Sequence, residues 1–138
     1  MPCIPDHING VKIEFADSVK NSVDQKVVDA LQFIISEDVA TGYVFTSAYI
    51  SSANDQHEYP SRHVQGEGKA VDISRINGMK MSLFYSKNAS VKAITNALQN
   101  KYEGYEHKRE NFGPSFKKKL GLPHTVSGHA DHIHISVN

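Results

Sequence analysis

Two stretches of helical apolar spacing are set among short runs of β-branched and aromatic residues, and that interleaving limits the chain to folds that pack helices on a sheet. In the first stretch Val23, Val27, Leu31, Ile34 and Ile35 recur at helical spacing. Ser22, with Gln25 three positions on, has the form of a capping box, and Gly42 supplies a stop, so a helix is expected at about 22–38. In the second, Val91, Ile94, Leu98 and Tyr102 share a face behind Ser90 as cap, which predicts a helix at about 91–102. Val11–Phe15 alternates, 43–50 (YVFTSAYI) is dense in aromatic and β-branched residues, and 69–73 (KAVDI) and 132–137 (HIHISV) follow the same pattern; all four read as strands. Residues 51–68 read as a long polar loop, and 103–128, with Gly104, Gly113, Pro114, Gly121, Pro123 and Gly128, as mostly loop. The expected fold is α+β: a small, mainly antiparallel sheet with two helices on one side, in a single domain over residues 1–138.

Composition narrows the function. Apolar residues at 39% suffice for one core, and charged residues at 22% are too few for a wholly disordered chain. Fifteen Lys and Arg balance fifteen Asp and Glu, so there is no whole-chain basic field for duplex nucleic acid. No apolar run is long enough to cross a membrane, and the opening MPCIPDHING has neither the basic nor the apolar region of a secretory signal. With Cys3 alone there is neither an internal disulfide nor a thiolate zinc finger, and an inert free thiol is expected. Histidine, at eight, is the residue in excess.

Two clusters gather the chemistry: 61–72 (SRHVQGEGKAVD) and 128–134 (GHADHIH). In a strand, residues two apart share a face, so His132 and His134 would point one way while Ile133 and Ile135 enter the core. Paired imidazoles suit a borderline metal such as zinc. Val71 and Ile73 claim the core face of their strand, which leaves Asp72 pointing outward, and His63 stands in the loop upstream. The plainer alternative is that these are surface histidines.

Ser61-x-His63 followed by Gly68-x-Ala70-x-Asp72 resembles the first motif of the zinc D-Ala-D-Ala peptidases and phage L-alanyl-D-glutamate endolysins. Asp131-x-x-His134 resembles their second motif, and Gly128-His129-x-x-His132-x-His134 is similar to a motif of the penicillin-insensitive murein endopeptidases. Together the motifs span about half the chain. The resemblance implies a Hedgehog/DD-peptidase-like fold and a Zn²⁺ held by His63, Asp72 and His134, with a fourth position for water. It implies that Asp131 is the general base, and that His129 or His132 donates to the developing oxyanion. Asp131 can face the metal only if it lies in the loop before the last strand; otherwise His132 is the base. One departure concerns spacing: His63 and Asp72 are nine apart where the family has seven, which makes His57 the alternative ligand. A second is that the upstream strand, 46–50, lacks the Arg with which the family's carboxypeptidases grip a terminal carboxylate. Arg62 and Arg75 flank the first motif from different directions.

The expected activity is therefore zinc-dependent hydrolysis of an amide bond in peptidoglycan stem or cross-link peptides, with an endopeptidase favoured over a D-Ala-D-Ala carboxypeptidase. The expected protein is a phage-type monomer, held in the cytoplasm until release to the cell wall or carried in a virion. A non-catalytic zinc-binding or assembly module of the same fold, as in Hedgehog signalling domains, is the alternative. Residues 107–119 carry five of the fifteen basic residues and read either as a solvated loop or as a grip on anionic wall polymer, with Phe112 and Phe116 as apolar contacts. Neither a membrane nor a nucleic acid is expected as partner. Tyr102 and Tyr105 are expected in the core and at its rim, and Ser61 either orients His63 or bonds the loop backbone.

Overall fold

The structure is a computed structural model that describes residues 1–54 and 67–138. His57, Ser61, Arg62 and His63 lie outside the described residues.

The elements run β1 (His7–Ile8), β2 (Val11–Phe15), α1 (Gln25–Ile34), β3 (Ser47–Ser52), β4 (Ala70–Ile76), β5 (Met79–Lys80), α2 (Met81–Phe84), α3 (Ala89–Tyr102), β6 (Lys108–Phe112), β7 (Lys117–Lys119), β8 (Leu122–Pro123) and β9 (Ile133–Val137). The fold is α+β. One sheet has the order β1-β2-β3-β4-β9-β6-β7-β8, with β5 paired to β4; every pairing is antiparallel except β2 with β3, which α1 connects. Three helices are present among the described residues rather than the expected two. The extra one, α2, is a single turn that packs on β4, β5 and α3.

Local chemistry moves several boundaries. Helix α1 starts later than about 22 because Ser22 bridges Cys3, while Val23 and Asp24 donate to the carbonyls of Pro2 and Gly68; the chain stays extended until Asp24 caps the Lys26 amide. It also stops well short of 38, since Ile35 is already extended. Asn88, not Ser90, caps α3, its side chain accepting from the Ser90 and Val91 amides. The strand expected over 43–50 is displaced to β3, leaving Tyr43 and Val44 exposed. Residues 103–128, expected as mostly loop, contain β6, β7 and β8. Their polar side chains conceal a period of two, and Gly113 and Pro114 make the turn between β6 and β7 rather than ending the structure.

The core lies between the sheet and the α1–α3 pair. Val71, Ile73, Ile76, Ile133, Ile135 and Val137 of β4 and β9 meet Val27, Leu31, Ile34, Ile94, Leu98 and Tyr102 of the helices. Asn111 also faces α3, where its side chain and that of Gln99 satisfy each other and nearby backbone groups. Alternation then sends Asp72, Phe112, His134 and Ser136 to the opposite face. Phe112 is buried, yet it is not part of the main core. No helix among the described residues is long and apolar enough to cross a membrane.

Candidate metal centre

Strand pairing builds the centre. Asp72 on β4 lies directly across from His134 on β9, and Phe112 on β6 lies across from His134 on its other side. The backbone thus sets a carboxylate, an imidazole and a phenyl ring in one row on the face away from the helices.

His134 is held at both nitrogens. Nδ1 is 2.9 Å from Asp72 Oδ1, and Nε2 is 3.0 Å from Glu110 Oε1. The Ser136 hydroxyl donates to the same Glu110 oxygen at 2.8 Å and accepts from the Glu110 amide. The Phe112 ring stacks on the imidazole at 5.6 Å and 18°. Burial alone would push the His134 imidazole down, but bonds to Asp72 and Glu110 outweigh it and push it up to about 9. Burial likewise opposes ionisation of Glu110, and the bonds from His134 and Ser136 hold its carboxyl down at about 2. In this arrangement His134 is an imidazolium between two carboxylates.

His132 precedes β9, with Nε2 3.9 Å from Asp72 Oδ2 and Nδ1 2.7 Å from Asp131 Oδ1. Both histidines of the HIH segment therefore face Asp72, as the alternation predicts. Asp131 is exposed and sits in the bend before the strand, the position required for it to reach the same side as His134. The bond from His132 holds its carboxyl below the usual range, in the ionised form.

His129 adopts φ +68°, immediately after Gly128 at +81°. This pair of left-handed residues turns the chain back so that the His129 ring lies 5.0 Å from His132 and 5.6 Å from His134, with Phe112 against its edge. Its Nδ1 is buried with no hydrogen-bond partner among the described residues. Burial, and then the neighbouring histidines, push its imidazole down, toward the neutral form. His124 also stacks on Phe112, at 5.5 Å and 11°.

A zinc ion calls for nitrogen and oxygen donors, an open position and outer carboxylates that orient the imidazoles. Asp72 and His134 supply one oxygen and one nitrogen donor, Glu110 grips the remote nitrogen of His134, and the orphaned Nδ1 of His129 adds polar capacity nearby. These residues fit a zinc site that takes its third ligand from elsewhere. Among the described residues alone, no three His, Cys, Asp or Glu are grouped to hold a metal, and both candidates for the third ligand, His63 and His57, lie outside them.

Sequence reasoning missed Glu110. Its signal was the alternation of Glu110 and Phe112 around Asn111, obscured because the surrounding segment looked like a basic loop. The same strand corrects the role expected of Phe112: at 4% exposure it lines the centre and cannot contact a polymer. Tyr102 is buried as expected, and Tyr105, expected at the rim, is buried in the core as well.

Beside the centre is a cavity of about 320 Å³ lined by Ala16, Tyr49, Ser51, Ser74, Arg75, Lys80, Ser82 and Asp131. Arg75 pairs across the sheet with Tyr49, and its guanidinium lies 4.1 Å from the Tyr49 ring centre. A cation therefore stands beside the strand that lacks an Arg of its own.

No family model matches the chain, and neither a curated protein nor a solved structure matches it.

Proposed function

We propose that the chain is a zinc-dependent peptidase with a Hedgehog/DD-peptidase-like fold that hydrolyses an amide bond in peptidoglycan stem or cross-link peptides. The observation that carries this reading is the cross-strand pair Asp72–His134, outside the core, with Glu110 on the far nitrogen of His134. A site of this kind gives a metal its ligands and their orientation together. The motif resemblance supplies the reaction class and His63 as third ligand.

Bound by His63, Asp72 and His134, zinc would polarise the amide carbonyl and acidify a water. Asp131, ionised and in the bend before β9, takes the proton of the attacking water and returns it to the leaving amine. His132 holds Asp131 in place through its 2.7 Å bond. His129, whose ring lies 5.6 Å from that of His134, would donate to the oxyanion.

The absence of an Arg from β3 supports an endopeptidase. The guanidinium of Arg75 over Tyr49 favours the second reading, a carboxypeptidase that grips a free terminus. Mass spectrometry of fragments released from purified sacculi separates the two: internal cuts give muropeptide fragments and terminal cuts give free D-Ala. The protein should also carry about one zinc per chain, lost in His134→Ala. Asp131→Asn should retain zinc and lose roughly 10²–10⁴-fold in rate, the usual worth of a positioned base. Zinc loss in Asp131→Asn would make Asp131 a ligand. Near-full activity there, with His132→Ala inactive, would move the base to His132. A protein refolded with zinc that binds none would overturn the reading.

A further inference from the structure

We infer that the β7–β8 hairpin, which exposes Leu120 and Leu122 at its tip among lysines, docks on the surface of an anionic phospholipid bilayer. Three observations carry it.

The first is the turn. Lys119 pairs with Leu122, so Leu120 and Gly121 form a two-residue turn, with φ +53° and +78°. The first position of such a turn suits Asn, Asp or Gly, because a bulky side chain at positive φ crowds the backbone. Leu120 takes that position at a conformational cost, and it is 56% exposed, so packing within the chain does little to offset the cost. The turn is nonetheless fixed in place. The Leu120 amide donates to the Arg109 carbonyl at 2.7 Å, and the Lys108 stem lies beside Gly121. Leu122, at 68%, is also left to solvent. The hairpin thus holds out two aliphatic side chains that do not serve the core.

The second is charge. The chain is neutral overall, yet residues 108–123, which form β6, β7, β8 and their turns, set Lys108, Arg109 and Lys117, Lys118 and Lys119 against Glu110 alone. That single carboxylate is already engaged by His134 and Ser136. None of the five cations forms an ion pair among the described residues.

The third is what the same surface disfavours. β8 ends the sheet, and Pro123 has no amide to offer a further strand, so a second copy gains little by strand addition. Single-stranded nucleic acid is held by basic residues with open aromatic platforms. Here Phe112 is buried and Phe116 lies 5.0 Å beneath the Lys118 ammonium. An anionic polymer would meet the lysines and leave the leucines in water. A bilayer takes both, with the aliphatic tip at the acyl boundary and the lysines at the headgroup phosphates. The expectation of no membrane partner rests on the want of a segment able to cross one, and a surface contact needs no such segment. Cross-strand pairing puts Lys119 and Leu122 on the sheet face of Phe112 and His134, so the docked chain carries that face beside the membrane. The docking does not rest on the zinc-peptidase reading.

The test sediments the whole chain with phosphatidylcholine vesicles, either plain or containing about a third phosphatidylglycerol. Only the anionic vesicles should carry it down, with half bound at roughly 0.1–1 mM accessible lipid and less at high salt. Lys118→Gln and Lys119→Gln should each weaken binding about 5-fold. Leu122→Ser should weaken it roughly 10-fold. Leu120→Asn should weaken binding while raising Tm, because Asn accepts the left-handed angle; a folding defect would lower both. The chain has no Trp, so Leu122→Trp supplies a single reporter, whose emission should move to the blue with anionic vesicles. No sedimentation with anionic vesicles overturns the inference. Binding that falls with the lysine substitutions but ignores both Leu122→Ser and Leu120→Asn also overturns it, and assigns the hairpin to a nucleic acid or wall polymer gripped by charge alone.

Discussion

At the scale of single residues, Glu110 carries the most consequence. It reaches His134 Nε2 at 3.0 Å and fixes which imidazole nitrogen is turned toward Asp72. An outer carboxylate of this kind raises the basicity of a ligating imidazole and orients its ring. Glu110→Gln keeps the size and a hydrogen-bond acceptor but removes the charge. Zinc affinity, measured by competition with a chromophoric chelator, should fall roughly 10–100-fold. Unchanged affinity would reduce Glu110 to a packing partner of Ser136. The sequence made half of this centre legible. Alternation around Ile133 and Ile135 announced that His132 and His134 share a side, and alternation around Ile73 announced Asp72. Glu110 was hidden because a polar strand among lysines has no apolar period to mark it. Arg75 was visible beside the first motif, but the side it faces was not, because counting by twos fails across a bulge, and a bulge is set by the partner strand, which the local sequence does not display.

At the scale of elements, the β4–β5 hairpin shows how a loop residue positions strands. The Asn77 side-chain oxygen accepts from the amides of Thr46 and Ser47, its nitrogen donates to the Val44 carbonyl, and its own amide donates to the Ser47 carbonyl. One turn residue therefore pins the start of β3 and with it the Tyr49–Arg75 pairing. Asn77→Ala loses the side-chain bonds and also places an alanine at φ +54°, so it should destabilise by about 2–3 kcal/mol in urea unfolding. Asn77→Gly accepts the backbone angle and isolates the lost bonds, so it should cost less. Equal costs would assign the whole effect to the side chain. Helix existence was readable from apolar spacing, whereas helix starts were not. Ser22 has the right chemistry for a cap, but its backbone is engaged by Cys3, a contact from the opposite end of the segment. Ser90 is likewise a good cap two residues too late, since Asn88 already bonds its amide.

At the scale of the whole molecule, the sheet separates two environments. Its helix-covered face holds the core, and its other face holds a buried imidazolium between two carboxylates, so the pH response of stability should report the site. The His134 imidazole is raised from about 6.5 to about 9. Its contribution is therefore complete below pH 6.5 and is lost as pH rises toward 9. Glu110 is lowered from about 4.5 to about 2, so its contribution is complete above pH 4.5 and is lost as pH falls toward 2. Both describe one interaction and are counted once. Metal-free protein should accordingly be most stable between about pH 4.5 and 6.5. From pH 6.5 to 9 its unfolding free energy should decline, with a slope that cannot exceed about 1.4 kcal/mol per pH unit for one proton. Zinc reverses the dependence over that same interval, because a ligating imidazole must give up its proton and less work is needed to remove it as pH rises. The gap in Tm between zinc-loaded and chelator-treated protein should therefore widen from pH 6.5 to 9. Glu110→Gln should flatten the metal-free profile, which distinguishes this pair from the other titrating groups. A metal-free Tm that stays level over the interval, in the unsubstituted protein, would mean that His134 is neutral there and that the ion pair across β9 and β6 does not form.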